Sequence, residues 1–457
     1  MIKAIRNIFS VKELKTKIFF TILMLVVCRF GAYIPVPGIN SSEIVKAFQF
    51  ATKGGQNLFQ LVDMFTGGAF AKMAITALGV MPYITSSIVL QLLMALVPSF
   101  KRDIKENPDQ GRRKLGKWTR VMTLFLALFQ SSMMAREALY LNSTHPGIIF
   151  EPVLAVKIMG FPWLFYLLFM ATMTTGTLFL MWIGEQISEK GIGNGVSLII
   201  TVGILASLPS TVGMLISQLN LESQEVGQVT FSSLLVLAAF FILVVIGTIL
   251  IIQGTRKIPL QYARRVSSDR EIKQSDAHIP LKLNYAGVIP VIFASAMLMF
   301  PATIAQFLGK GSVVGSIASM LVPGTYGYGI IYVTLIIFFT FFWTASQFHP
   351  DQIASDMKKN GAFIPGVRQG KATQDFLEKT MNRITLLGAL SLALIAILPM
   401  LIGKILNIDQ SISHFFGGTS LLIMVGVVLD TMKQIESHLL MNRYDGFMTR
   451  KKTRVKF

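Results

Sequence analysis

The chain is written in long apolar stretches separated by charged loops. Crossing a bilayer takes about 20 mostly apolar residues. Such stretches recur at residues 18–34, 76–97, 120–138, 162–182, 192–216, 231–252, 285–308, 328–348, 384–403 and 415–432, ten in all. Proline and glycine interrupt several, which membrane helices tolerate when neighbours re-satisfy the freed backbone groups. One region breaks the rhythm. Residues 61–94, LVDMFTGGAFAKMAITALGVMPYITSSIVLQLLM, divide into two helical pieces of unequal length. The piece at 69–76, after Gly67-Gly68, is too short to span, whereas 77–96 is long enough. Irregular backbone at membrane depth needs protein or a water cavity around it. The short piece therefore either enters a covered cavity inside a helix bundle or lies at the interface on its neighbours; the pattern supports both.

Composition agrees with a polytopic helical membrane protein. Hydrophobic residues make up 53% of the 457 and charged residues only 14%, which excludes an ordinary soluble domain. The lone cysteine, Cys28, excludes an internal disulfide and a cysteine metal site. The basic N-terminus and the apolar run after it could mimic a signal peptide. That run has no small-residue cleavage site and leads into Pro35-Val36-Pro37-Gly38, so it reads as a retained first span.

Charge supplies the orientation. The net charge is +19. With the N-terminus inside, most of the 42 Lys and Arg residues fall on the inner side: before the first span, after spans two, six and eight, and in the tail. The positive-inside rule then places both ends in the cytoplasm with an even number of spans. The inner loops 254–283 and 349–383 are longer than a turn needs and rich in cations. They read either as topology anchors or as docking surfaces for a phosphate backbone or an acidic face.

The chain carries no HExxH, no P-loop and no paired cysteines. His145, His278, His349, His414 and His438 are scattered near loops and span ends, without metal-ligand spacing. Gly191-Ile192-Gly193-Asn194-Gly195 lacks the preceding strand of a dinucleotide loop and reads as a tight turn opening the fifth span. Ionisable residues near the spans are few: Arg29, Asp63, Lys72 and Glu185. Without an array of acidic residues for ion coupling, a passive pore or an exposed apolar path is favoured over a secondary transporter of a small solute. No nucleophile–base constellation supports an enzyme, so no catalytic residue, metal or cofactor is expected.

Several ordered motifs resemble the SecY family of protein-translocation channels. They are ALGVMPYI at 77–84, GEQISEKGIGNG at 184–195, HIPLKLN at 278–284, AGVIP at 286–290, GAFIPGVR at 361–368 and FGGTSLL at 416–422. The resemblance runs through nearly the whole chain in register with the ten stretches. It implies an all-α polytopic membrane protein: ten transmembrane helices in two inverted, pseudo-symmetric halves, 1–216 and 217–457, around an hourglass pore. A short helix at about 65–75, with Thr66, Gly67, Gly68, Ala69, Phe70, Ala71 and Lys72, would plug the outer side. Val80, Ile84, Val196, Ile200, Ile292 and Ile423 would form an apolar pore ring. Thr85, Ser86, Ser87 and Gln91, with Gln130, would line a lateral gate that releases transmembrane segments into membrane lipid. Arg256, Lys257 and Arg368 would dock the ribosome or the SecA motor, which supply the energy. The resemblance further implies SecE and often SecG as partner subunits, signal peptides and nascent chains as clients, and residence in the bacterial inner membrane.

Overall fold

The structure, a computed structural model, describes residues 11–52, 58–97, 108–155, 162–217, 231–262, 277–307, 325–405, 412 and 418–452. His414, and Phe416 and Gly417 of the motif at 416–422, lie outside these residues, as does the part of the first cationic loop at 263–276.

A helix lies over each of the ten apolar stretches. In chain order the helices are α1 (Lys12–Gly31), α2 (Ser41–Thr52), α3 (Leu58–Thr66), α4 (Met81–Leu96), α5 (Pro108–Thr144), α6 (Glu151–Ala155), α7 (Trp163–Lys190) and α8 (Gly195–Ser217). They continue with α9 (Phe231–Gln253), α10 (Ile289–Phe307), α11 (Tyr326–Gln347), α12 (Pro350–Lys359), α13 (Lys371–Ile405) and α14 (Thr419–Lys452). By length and composition α7, α8, α9, α11 and α13 can each cross a membrane. Large side chains such as Phe19, Ile22 and Phe30 on α1 and Ile242, Leu243 and Leu250 on α9 face outward, as lipid contact requires. Inside, hydroxyls bond back along their own helices: Thr123 to the Thr119 carbonyl at 2.7 Å, Thr248 to that of Val244 at 2.7 Å and Thr340 to that of Ile336 at 2.6 Å. These polar groups are thereby satisfied where water is absent.

The helix neighbours repeat. In the first half α4 packs on α5, α5 on α7, α7 on α8, and α1 on both α7 and α8. In the second half α10 packs on α11, α11 on α13, α13 on α14, and α9 on both α13 and α14. Each contact recurs five spans later. Five is odd, so each helix and its counterpart run in opposite directions, and the halves are inverted copies. Across the halves α4 meets α10 and α8 meets α14. These are the helices that surround the centre.

The loops at 254–283 and 349–383 carry secondary structure of their own among the described residues. Strand β1 (Thr255–Pro259) pairs antiparallel with β3 (His278–Lys282), and β2 (Gln261–Tyr262) with β4 (Ala362–Phe363). The second ladder ties one loop to the other. Ile258 and Leu281 point inward with Phe348, Met357, Ile364, Leu377 and Met381 to form a separate apolar core. The all-α expectation therefore describes the bundle but not this appendage. Its strands are short, charged and broken by Pro259 and Pro280, a composition that hides strand character.

Candidate functional site

At the centre, side chains from α4, α8, α10 and α14 converge in one apolar cluster. Ile84, Ile200, Ile292 and Ile423 are buried there, the last with 0% exposure, and Val196 packs against them half-buried. Val80 is the residue on which α4 starts, and the Ile84 N–H bonds to its carbonyl at 3.1 Å. The two therefore sit one turn apart on the same face, as do Val196 and Ile200 on α8. All six expected ring residues lie in or against this large cluster, and none of the six carries a hydrogen-bonding side chain.

The same cluster includes Val62, Met64 and Phe65 of α3. Here the sequence expectation needs correction. The short helix does not follow Gly67-Gly68; it precedes them, at Leu58–Thr66, and residues 67–80 run in turns. The two glycines stop the helix, with φ of +65° and +84°, values that only glycine adopts readily. The Ala71 N–H donates to the Asp63 carboxylate at 2.7 Å, and the Phe70 N–H to Thr66 Oγ1 at 3.2 Å, folding the next residues back onto α3. Farther along, the Val36 N–H bonds to the Met73 carbonyl at 3.1 Å and the Ile75 N–H to the Ile34 carbonyl at 2.9 Å. The segment after Lys72 is thus clipped to the strand-like stretch after α1 instead of coiling.

Two glycines on neighbouring helices admit this backbone. A Cβ on Gly203 of α8 would strike the Phe65 carbonyl, and one on Gly176 of α7 would strike the Ile75 carbonyl. From α1, Arg29 Nη2 donates to the Gly67 carbonyl at 3.1 Å. On the far side, Ser420 Oγ of α14 lies 3.4 Å from Met64 Sδ. Lys72 holds its ammonium 4.2 Å from the centre of the Tyr33 ring. The sequence reading missed Asp63, Met64 and Phe65 as parts of this seat. The signal for Arg29 was available: it is a charge set in an apolar stretch.

A cavity of about 330 Å³ borders residues of the expected ring. Ile84, Val196, Ile200 and Ile292 form one boundary, and Phe293 and Trp343 form an aromatic wall. Ser87, Gln91, Glu185, Ser188 and Asn194 make it polar elsewhere. Arg120 closes on Glu185 through two bonds, Nε to Oε1 at 3.1 Å and Nη2 to Oε2 at 2.9 Å. Of the five residues expected at the lateral gate, Ser87 and Gln91 line this cavity; Thr85, Ser86 and Gln130 are not among its described lining. Thr85 and Ser86 bond to the Met81 and Pro82 carbonyls of their own helix at 3.0 and 2.7 Å.

Arg256 and Lys257 stand exposed on β1, opposite Leu281 and Pro280 of β3. Arg368 is exposed beyond β4, on a turn bounded by Gly366 and Gly370 with φ of +80° and +91°. Both cationic tips thus rise from the appendage that the ladders and its apolar core hold together.

An inverted-repeat helical bundle closed at its centre by aliphatic side chains and a short lodged helix has the architecture of a membrane channel. Among solved structures the fold is similar to "The structure of a protein conducting channel", with TM-score 0.61 and 18% identity over 92% of this chain and 91% of that one. It is also similar to Sec61 in a canine ribosome–channel complex, with TM-score 0.59 and 16% identity over 92% and 91%. The chain is 57% identical to the protein translocase subunit SecY of Chlamydia trachomatis serovar D over 97% of each. It is 42% identical to the subunit of the same name from Halalkalibacterium halodurans, over 98% of this chain and 100% of that relative. The SecY family model matches residues 74–432. The chain belongs to the SecY family, which sets aside the small-solute carrier.

Proposed function

We propose that this chain is the central channel subunit of a Sec translocon. It passes unfolded secretory polypeptides across the inner membrane and releases apolar segments sideways into lipid. The observation that carries the reading is the single apolar cluster built by α4, α8, α10 and α14 and seated on α3. Such a ring seals against ions yet has no fixed hydrogen bonds to break when a chain of any sequence passes. In this reading Thr66 to Lys72, together with α3, form the plug. The side facing the 330 Å³ cavity is the cytoplasmic side, and both termini are cytoplasmic. Thr85, Ser86, Ser87, Gln91 and Gln130 belong to the gate. Arg256, Lys257 and Arg368 dock the ribosome or SecA, while SecE and SecG complete the complex. The chain catalyses no reaction, and its partners supply the energy.

The test is a disulfide crosslink. In a Cys28→Ser background, one cysteine replaces Ile84 and another is placed midway along a stalled secretory chain. A crosslink that requires both the signal sequence and the motor or ribosome supports a polypeptide passing the ring. Silence there and at a control site on the seam would overturn the reading.

A further inference from the structure

Two buried polar atoms beside the ring have no hydrogen-bond partner among the described residues: Gln91 Oε1 on α4 and Trp343 Nε1 on α11. Both residues line the 330 Å³ cavity, and they reach it from opposite halves of the molecule. Each atom is held in place by its own side chain's contacts. The Gln91 amide nitrogen donates to Ser87 Oγ at 3.1 Å, which leaves the amide oxygen as a free acceptor. The Trp343 indole stands edge-on to Phe293, with ring centres 5.7 Å apart and planes at 88°. Its N–H can only donate. Buried polar groups normally find partners, and leaving one unpaired is costly. The two residues border the same cavity, but both atoms are buried away from it, so the bundle stores that cost for as long as the two halves stay together. Parting of the two halves relieves it.

The complement of one acceptor and one donor is a group with one N–H and one C=O. An extended polypeptide carries this group at every residue, whereas an intact helix spends it internally. Among the described lining of the cavity, Ile84, Val196, Ile200 and Ile292 also belong to the ring, so a chain held in the cavity would already stand at the ring. We propose that Gln91 Oε1 and Trp343 Nε1 form a backbone subsite that holds one peptide group of an extended client chain at the entrance to the ring. The subsite rests on the polypeptide-channel reading and adds to it a grip that ignores side chains. A channel open to many sequences needs recognition of that kind. Gln91 accepts from the client N–H, and Trp343 donates to the client carbonyl.

The experiment uses the full chain with its partner subunits in lipid nanodiscs and a labelled synthetic signal peptide. Two peptides with different apolar cores, one leucine-rich and one alanine–valine-rich, are each made as a series N-methylated at successive residues. Binding is compared for the parent, Gln91→Leu and Trp343→Phe; the phenylalanine keeps an aromatic ring and loses the N–H. Each substitution is expected to weaken binding about two- to tenfold, by the same factor for both cores. One N-methyl position is expected to cost as much as Gln91→Leu, with no further loss when the two are combined. Unchanged affinity in both variants, or losses that add at every N-methyl position, would overturn the subsite and leave the channel reading standing. Failure of the parent to bind either peptide would overturn both.

Discussion

Arg29 on α1 donates through Nη2 to the carbonyl of Gly67, 3.1 Å away, at the end of α3. A helix C-terminus carries unpaired carbonyls and a partial negative charge, and a guanidinium satisfies both. The contact is thus a charge-assisted clasp between the first membrane helix and the element lodged under the ring.

Removing that clasp should loosen α3. A hydrogen bond to a charged group is worth about 1.5–3 kcal/mol, so Arg29→Leu should raise the displaced fraction of α3 roughly tenfold or more. Single-channel recordings of the reconstituted complex are expected to show ion leakage without a client. Arg29→Lys, which keeps a charge but loses the guanidinium fork, should leak less. An electrically silent Arg29→Leu channel would show that the clasp does not hold the seal.

The close approach of α3 to α8 predicts a second way to the same leak. In Gly203→Ala the new methyl would meet the Phe65 carbonyl. The two backbones must separate, which should expose a probe cysteine at Met64 to a membrane-impermeant reagent. Gly213 on the same helix has nothing within 4 Å of its added Cβ, and Gly213→Ala should leave that cysteine protected.

Wetting the ring should also open it to ions. Ile200→Asn places an amide where the parent side chain is 3% exposed. An unpaired buried amide costs about 1–3 kcal/mol, and water entering the constriction relieves it. Conductance at rest should rise, while Ile200→Leu should stay tight. Equal conductance in the two variants would argue that α3 alone forms the barrier.

Charge reversal at Arg368 separates docking from folding. The side chain is exposed, so Arg368→Glu should leave the protein inserted and folded while reducing translocation. Leu281→Ala acts differently: that side chain is 0% exposed beneath the ladders. Losing it should cost about 2–5 kcal/mol locally and make the loops at 254–283 and 349–383 sensitive to protease. Normal secretion with Arg368→Glu would exclude the docking role.

The spanning helices are legible in the sequence because an apolar run long enough to cross a bilayer is an unambiguous signal. The run at 67–80 is not. Its four alanines, with Met73 and Ile75, suit a helix locally, and the outcome is decided by distant partners: the backbone at Ile34 and Val36, and the bare faces of Gly176 and Gly203. The strands of the appendage escape notice because Lys257, Pro259 and Pro280 mask the single inward residue on each side, Ile258 and Leu281. Ile84, Ile200, Ile292 and Ile423 cannot be told by composition from other buried isoleucines, and only the family resemblance singles them out. The inverted repeat lies in which helices touch, a relation that no local window of sequence contains.

The clip that joins Met73 and Ile75 to Val36 and Ile34 also sets a leash. If it holds while α3 leaves its seat, only residues 67–72 can pay out between the helix and the clip. Fully extended, six residues span about 20 Å. That reach clears a constriction yet keeps α3 close by, so resealing becomes a local return and not a search. Lengthening the leash with inserted glycines should slow closure after a client has passed while leaving its passage unchanged.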